Sequence, residues 1–277
     1  MEEKLEPEEL YHYTNIESLV LILKNHTIRF SPLNRMDDLT EAQSADVNNI
    51  GQTKYVSSWT DDKEESIPMW NMYSSLTSGV RIKLQTNPFQ TYEIYPSDLE
   101  KVLGQHVEDE SNGKPIISLI PIPEMIIKRI WCIEALNCHI LNQVQYTDDM
   151  EKIFPHTKTI NDDRLTLDTN CIGKYKRCNW SFQHEWRYMM TIIPFSLYDA
   201  VNNMYFQFCK NMTKMSEGKD IQAVPYYDLR ISDTAFASME ITMSPRLSEA
   251  NQTILQCVVE KYNPSAGIKP SELTGLI

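Results

Sequence analysis

The chain has 277 residues, 42% of them hydrophobic, with 26 lysines and arginines against 38 aspartates and glutamates, a formal net charge of −12. This length and composition suit a globular protein with a buried core, and the negative charge disfavours sequence-independent binding to nucleic acid, which depends on neutralising phosphates. Only eight residues are glycine, and none are spaced as G-x-G or G-x-x-x-x-G, which excludes the Rossmann fingerprint and the Walker phosphate loop.

The first forty residues are predicted to form a strand, a helix and a second strand. Residues 10–14 are aromatic and β-prone. Apolar residues at positions 16, 19, 20 and 23 have the spacing of an amphipathic helix, which Thr14 or Asn15 caps and Asn25 closes. Residues 27–30 read as a strand, followed by a polar loop.

Further strands and helices follow in the rest of the chain. Strands are predicted over 54–60, 79–84, 143–146, 186–193 and 239–243, with the strand at 79–84 paired to that at 54–60. Helices are predicted over 68–75 and 123–141, and a last helix begins after Ser248. The core is expected to include Trp186, Tyr188, Ile192, Ile241, Ile254, Leu255, Val258 and Val259.

No repeat, linker or composition break divides the chain. The sequence therefore predicts a single α+β domain over residues 1–277, with a central mixed or antiparallel sheet and a helical insertion at about 98–141.

The cysteines and apolar residues predict a cytoplasmic protein. The six cysteines are scattered without a C-x-x-C pair, which is typical of free thiols in a reducing compartment. The N-terminal segment is acidic, unlike a secretory signal, and no apolar run approaches the ~18 residues of a membrane helix. No membrane partner is therefore predicted. Cys171, Cys178 and His184 lack the further ligands of a structural zinc site, so no metal is predicted either.

Two short motifs could carry chemistry. His12 and Thr14 lie on one face of a strand that ends at a helix, and could point into a cleft of the sheet; the alternative is a structural histidine beside an N-capping threonine. Glu185 and Arg187 also share a strand face. They could hold a polar ligand or act as acid and base, or they could form a structural ion pair.

A group of large side chains could also be functional or structural, and an acidic loop has a simple structural interpretation. Trp59, Met69, Trp70 and Tyr73 could stack a ligand ring or belong to the core. The acidic residues Asp37, Asp38 and Glu41 read most simply as a turn and a helix cap.

Taken in order, the motifs resemble a known family. They are YHYT at 11–14, RFS at 29–31, LNRMDD at 33–38, SSW at 57–59, MWNMY at 69–73, GVRI at 79–82, VQY at 144–146, EWR at 185–187 and ITMSPRLS at 241–248. Over roughly residues 10–262 this series resembles the domain-of-unknown-function 2971 family of bacteria and phages. The opening is also similar to that of ADP-ribosyltransferase-fold proteins, where a His-x-Thr strand binds the nicotinamide and its ribose, and a late glutamate stabilises the transition state.

The resemblance implies an ADP-ribosyltransferase-like sheet, NAD or a related nucleotide as ligand or substrate, and no covalently bound cofactor. It implies that Glu185 is catalytic. It also implies that the ligand is bound by His12, Thr14, Arg29, Ser58, Trp70, Tyr73 and Arg187. A protein or a nucleic acid would be the acceptor.

Two functions remain open from the sequence. One is ADP-ribosyl transfer from NAD in phage–host conflict. This function expects His12, Thr14, Tyr73 and Glu185 in one cleft, with His12 and Glu185 on the same face of the sheet. The other is a non-catalytic protein that sequesters a nucleotide or a partner. A nuclease is disfavoured, because the chain is acidic and lacks a metal-binding carboxylate pattern.

Overall fold

A computed structural model gives the fold. It describes residues 6–95, 97–98, 100, 114–132, 134–136, 138–161, 164–195 and 209–277. Part of the insertion predicted at 98–141 lies outside these residues.

The described chain is a mixture of helices and short strands. The helices are α1 (Ile16–Asn25), α2 (Ile67–Tyr73), α3 (Ile122–Lys128), α4 (Met150–Ile153), α5 (Asp233–Ala237) and α6 (Glu249–Tyr262), and residues 209–216 are also helical. The strands are β1 (Glu9–Asn15), β2 (Thr27–Pro32), β3 (Lys54–Thr60), β4 (Gly79–Gln85), β5 (Tyr92–Ile94), β6 (Ile116–Ser118), β7 (Ile130–Cys132), β8 (Leu141–Gln143), β9 (Gln145–Tyr146), β10 (Lys158–Asn161), β11 (Arg164–Leu167), β12 (Tyr175–Lys176), β13 (Glu185–Pro194), β14 (Tyr227–Arg230), β15 (Glu240–Met243) and β16 (Gly267–Lys269).

A large mixed sheet organises the fold, and it forks at β3. Its order is β14-β2-β3-β1-β4-β15-β16, and β13 pairs with β3, β7 and β8. On the edge of β3 away from β13, β2 pairs at Tyr55 and Val56, whereas β1 pairs only at Thr60. Strands β1 and β2 therefore separate along β3, and residues 57–59 face the gap between them.

The pairing predicted for the strand at 79–84 is wrong. This strand, β4, pairs with β1 along its whole length and with β15 on its other edge. It cannot reach β3, because β13 occupies one edge of that strand and β1 and β2 share the other.

The predicted first helix is α1, and its ends are set by local capping. The Asn15 side chain accepts a hydrogen bond from the Ser18 backbone N–H (2.7 Å), and His26 ends the helix in the left-handed conformation. Its buried residues Ile16, Leu19, Ile22 and Leu23 face the core, while Val20 is only partly buried.

The helix predicted over 123–141 is much shorter. Helix α3 ends at Lys128, Arg129 has a φ of 52°, and the chain then enters β7, which pairs with β13. The β-branched and aromatic residues at 130–132 gain a strand partner there, which outweighs their helical spacing. The described part of the insertion is therefore a mixture of strand and helix, not helical.

The core prediction is largely confirmed. Trp186, Tyr188, Ile192 and Ile241 are at most 3% exposed. On α6, Leu255 and Val259 are buried one turn apart and Val258 is partly buried. Ile254 is 47% exposed, contrary to the prediction, because its position on the helix points away from α1 and the sheet. Within the described residues, no helix is long and apolar enough to cross a membrane.

Candidate functional site

A cavity opens where β1 separates from β3. It has a volume of about 90 Å³ and is walled by aromatic rings from β1, β3 and α2, with charged side chains from β12 and β13 at its inner end. Of the residues implied by the family resemblance, five line it: His12, Ser58, Tyr73, Glu185 and Arg187.

The imidazole of His12 bridges the fork. Its Nδ1 lies 2.8 Å from the Ser58 carbonyl oxygen, which can only accept, so Nδ1 carries the proton. Burial lowers the pKa of His12 below its usual value. The ring is therefore neutral at pH 7, and its Nε2 has a lone pair free to accept a hydrogen bond from a ligand. The ring also packs against Trp59, with centroids 5.0 Å apart.

The predicted common face for His12 and Glu185 is wrong. Thr60 pairs with Tyr11 on one side and with Glu185 on the other, so these three side chains share a face. His12 follows Tyr11 and starts from the opposite face. It meets Glu185 in the same cavity only because the sheet is split between β1 and β3.

The carboxylate of Glu185 is buried and fully engaged by its own chain. Its Oε1 lies 2.5 Å from Arg187 Nε, and its Oε2 lies 2.7 Å from Lys176 Nζ and 3.2 Å from Arg187 Nη2. Burial alone would raise the pKa of Glu185, but the two cations outweigh it and hold the pKa at about 2. The group is therefore an anion across the physiological pH range.

A second buried carboxylate, Glu41, completes an ion quartet with Glu185, Arg187 and Lys176. Its Oε2 lies 2.7 Å from Arg187 Nη2 and 3.9 Å from Lys176 Nζ. Burial raises the pKa of Glu41, against the attraction of Arg187. The sequence analysis missed this partnership and assigned Glu41 to a turn and cap, because an isolated acid far along the chain carries no local signal of its partner.

The quartet is joined to the aromatic wall through Gln183. The Gln183 side chain accepts a hydrogen bond from Lys176 Nζ (2.9 Å) through Oε1 and donates one to the Tyr73 hydroxyl through Nε2. Desolvation raises the pKa of Tyr73, and the negative charges of Asp37, Glu185 and Glu41 raise it further. Lys176 and Gln183 are further site residues to which the sequence gave no role.

Thr14 and Arg29 lie outside this cavity. They line a second pocket of about 200 Å³ between β1, α1 and β2, and His12 lines both pockets. Arg29 donates to both carboxylate oxygens of Asp228 (2.8 and 3.0 Å) and its guanidinium stacks 3.6 Å from the centre of the Tyr226 ring. The sequence predicted one cleft that includes Thr14 and Glu185. The structure instead has two pockets, and His12 lines both of them.

Trp70 belongs to the core rather than to the cavity lining. It is fully buried, its ring packs edge-on against Tyr13 at 4.9 Å, and its Nε1 donates to Glu65 (2.9 Å). The same carboxylate accepts from Ser271 Oγ (2.5 Å) and the Glu272 backbone (2.8 Å). Of the two candidates from α2, Tyr73 is therefore the one that reaches the cavity.

Comparison with family models, with curated proteins and with solved structures gives no match. The site must therefore be interpreted from its own geometry: a split sheet, an aromatic cavity, a neutral histidine and a buried ion quartet. Among the described residues, no three histidine, cysteine or acidic side chains are arranged to hold a metal ion.

Proposed function

We propose that this protein binds NAD or a related nucleotide without turning it over, with the flat ring of the ligand in the cavity between β1 and β3. The proposal is supported by the rings of Trp59 and Tyr73, which offer stacking surfaces, and by His12, whose Nε2 can accept a hydrogen bond from the ligand. The second pocket, which His12 also lines, offers the hydroxyl groups of Thr14, Ser18, Thr27 and Ser31 to the remainder of the ligand.

The contacts of the Glu185 carboxylate with Arg187 and Lys176 are the observation that favours binding over catalysis. A carboxylate that stabilises a ribosyl cation must face the reacting atoms. Both oxygens of Glu185 instead contact Arg187 and Lys176 at 2.5–3.2 Å, and the side chain is 4% exposed. Exchanging those partners for a ribose hydroxyl would leave a buried cation unpaired, which is costly.

The second candidate is ADP-ribosyl transfer on an ADP-ribosyltransferase-like fold, with a protein or a nucleic acid as acceptor. It is favoured by one observation: His12, Tyr73 and Glu185, which are distant in sequence, line one cavity. The opposite sheet faces of His12 and Glu185 count against it, because the transferase expects the two residues on the same face. In this candidate Lys176 would move away and Glu185 would stabilise the oxocarbenium-like transition state. For either function, a cytoplasmic location agrees with the six free cysteines.

The test is a titration of the purified protein with NAD, following the melting temperature and the free nicotinamide in the same samples. We expect a saturable rise in the melting temperature, since a ligand at 100 times its Kd adds ~2.7 kcal/mol to the free energy of unfolding. We expect no release of nicotinamide.

Two variants test whether the NAD-dependent rise in melting temperature depends on the cavity. The substitution His12→Ala is expected to abolish the NAD-dependent rise, and His156→Ala, which changes a histidine whose side chain is 81% exposed outside the cavity, is expected to preserve it. Release of nicotinamide that falls ~100-fold in Glu185→Gln would establish the transferase instead. If NAD leaves the melting temperature of the wild-type protein unchanged, both candidates fail.

A further inference from the structure

One wall of the cavity between β1 and β3 is supported by a small core of its own. Helix α2 supplies Met69 and Tyr73 to that wall. Among the described residues, the buried members of the cluster that joins α2 to β1 are Tyr13, Met69 and Trp70, and they are separate from the two larger core clusters. Elements with few buried apolar contacts open locally at a lower free energy than the main core. The position of this wall therefore depends on the other contacts that hold α2.

A glutamate beside α2 joins the helix to a segment that is distant in sequence. The Glu65 carboxylate accepts one hydrogen bond from the helix, donated by Trp70 Nε1 (2.9 Å). It accepts two from the distant segment, donated by Ser271 Oγ (2.5 Å) and by the backbone N–H of Glu272 (2.8 Å). The next residue, Leu273, packs against the same small cluster as α2. We call Glu65 together with residues 271–273 the clasp.

The loop that precedes α2 is anchored to the sheet separately. The Tyr13 hydroxyl accepts a hydrogen bond from the Ser66 backbone N–H (3.0 Å). Arg81, which is 4% exposed, donates through Nη1 to the Lys63 carbonyl oxygen (3.1 Å). These contacts use main-chain atoms of the loop and do not involve the Glu65 side chain. Loss of the clasp is therefore expected to loosen α2 while the loop and the sheet keep their structure.

The cavity is narrow, so a small displacement of one wall changes what it can hold. Its volume is about 90 Å³. A flat ring between two walls is held by dispersion contacts, and a gap of about 0.5–1 Å forfeits a quarter to a half of each contact. A wall that moves away from β1 would therefore weaken the binding of a ring that fits between the walls.

We propose that the clasp holds α2 against β1 and so sets the width of the cavity. Glu65 is then a positioning residue, because it does not line the cavity and acts through the helix that carries Met69. The consequence for a ligand rests on the proposed function, since NAD is the ligand proposed for this cavity. The position of α2 can be measured without any ligand.

The test is mild oxidation of the full chain with hydrogen peroxide, followed at each methionine by mass spectrometry. Oxidation of a thioether to the sulfoxide depends on its exposure. Met69 is 9% exposed, Met72 on the same helix is 47% exposed, and Met190 in the main core is fully buried. In Glu65→Ala and in Leu273→Ala the oxidation rate of Met69 is expected to rise toward that of Met72, while Met190 stays protected.

Three control variants are matched to these two. Glu64→Ala and Glu272→Ala change exposed side chains next to the two clasp positions, and they should leave the oxidation rate of Met69 as in the wild type. Leu273→Ile keeps the apolar volume at that position, so it should keep Met69 protected where Leu273→Ala does not.

Calorimetric titration with NAD then measures the consequence for the ligand. The Kd is expected to rise about tenfold in Glu65→Ala and in Leu273→Ala, because the ring loses part of its contact with the displaced wall. The three control variants should bind NAD as the wild type does.

Each contrary outcome has its own meaning. Slow, wild-type oxidation of Met69 in both clasp variants would overturn the proposal. Equal rises at Met69 and Met190 would also overturn it, because the variants would then loosen the whole fold. If Met69 is oxidised faster while the Kd for NAD stays the same, the clasp holds the helix but does not set the width of the cavity. If the wild-type protein does not bind NAD, the proposed function fails, and the oxidation of Met69 alone decides whether the clasp positions α2.

Discussion

Replacing Arg187 with alanine is expected to lower the free energy of unfolding by ~3–5 kcal/mol, the cost of breaking a buried ion pair by removing one partner. The Arg187 side chain is 1% exposed and joins three segments, since it contacts Glu185, Glu41 and the Gly173 carbonyl oxygen (3.0 Å). Without it, two buried carboxylates would share only Lys176. Urea unfolding followed by circular dichroism measures the change.

The matched control is Arg29→Ala. Arg29 also contacts a carboxylate through two nitrogens, but its pair with Asp228 lies at the surface, with the side chains 44% and 26% exposed. Exposed pairs contribute ~0–1 kcal/mol. If Arg187→Ala and Arg29→Ala lower the free energy of unfolding equally, burial does not explain the contribution of the quartet to stability. Should Arg187→Ala fail to fold, Arg187→Lys, which keeps the charge but not the two-nitrogen contact, should fold with intermediate stability.

Replacing Trp186 with alanine is expected to cost ~3–5 kcal/mol, the range for truncating a buried large aromatic side chain. Trp186 is 3% exposed in the main core cluster, and its register partner on β3 is Trp59. A loss of this size is a large part of the 5–15 kcal/mol that stabilises a typical domain. Thermal or urea unfolding of the variant would show it directly.

Two further variants separate volume from hydrogen bonding at this position. The Trp186 Nε1 atom is buried without a hydrogen-bond partner, so Trp186→Phe removes an unpaired donor while it keeps most of the apolar contact, and it should lose far less stability than Trp186→Ala. Trp180→Ala, at a partly exposed residue outside the core clusters, should also cost less. A Trp186→Ala variant that unfolds like the wild type would mean that the burial of Trp186 in the main core cluster is wrongly assigned.

The elements that the sequence predicted well are those with local signals. The N-caps Asn15 and Ser248 accept hydrogen bonds from the backbone of the helices they precede. The alternation of β13 places Trp186 and Tyr188 together on one face, although the other face, with Glu185 and Arg187, is buried as well. Capping and strand alternation depend on residues within one or two turns, so they can be derived without knowing the tertiary structure.

The features that the sequence could not give depend on long-range pairing. The fork at β3 arises because β1 and β2 share one of its edges, and no local pattern encodes that division. The same fork lets His12 reach the cavity of Glu185 from the opposite face, and it sends Thr14 to a different pocket. Glu41 joins Arg187 only through the folded chain, so a loop acid that looked like a cap became part of the buried quartet.

The most direct test of the central claim is a crystal structure of the protein soaked with NAD. We expect the nicotinamide ring between β1 and β3, in contact with Tyr73 and His12, with the nucleotide uncleaved and the 2.7 Å contact between Lys176 and Glu185 intact. A nicotinamide ring bound elsewhere, or a ribose hydroxyl that has replaced Lys176 at Glu185 Oε2, would contradict the account.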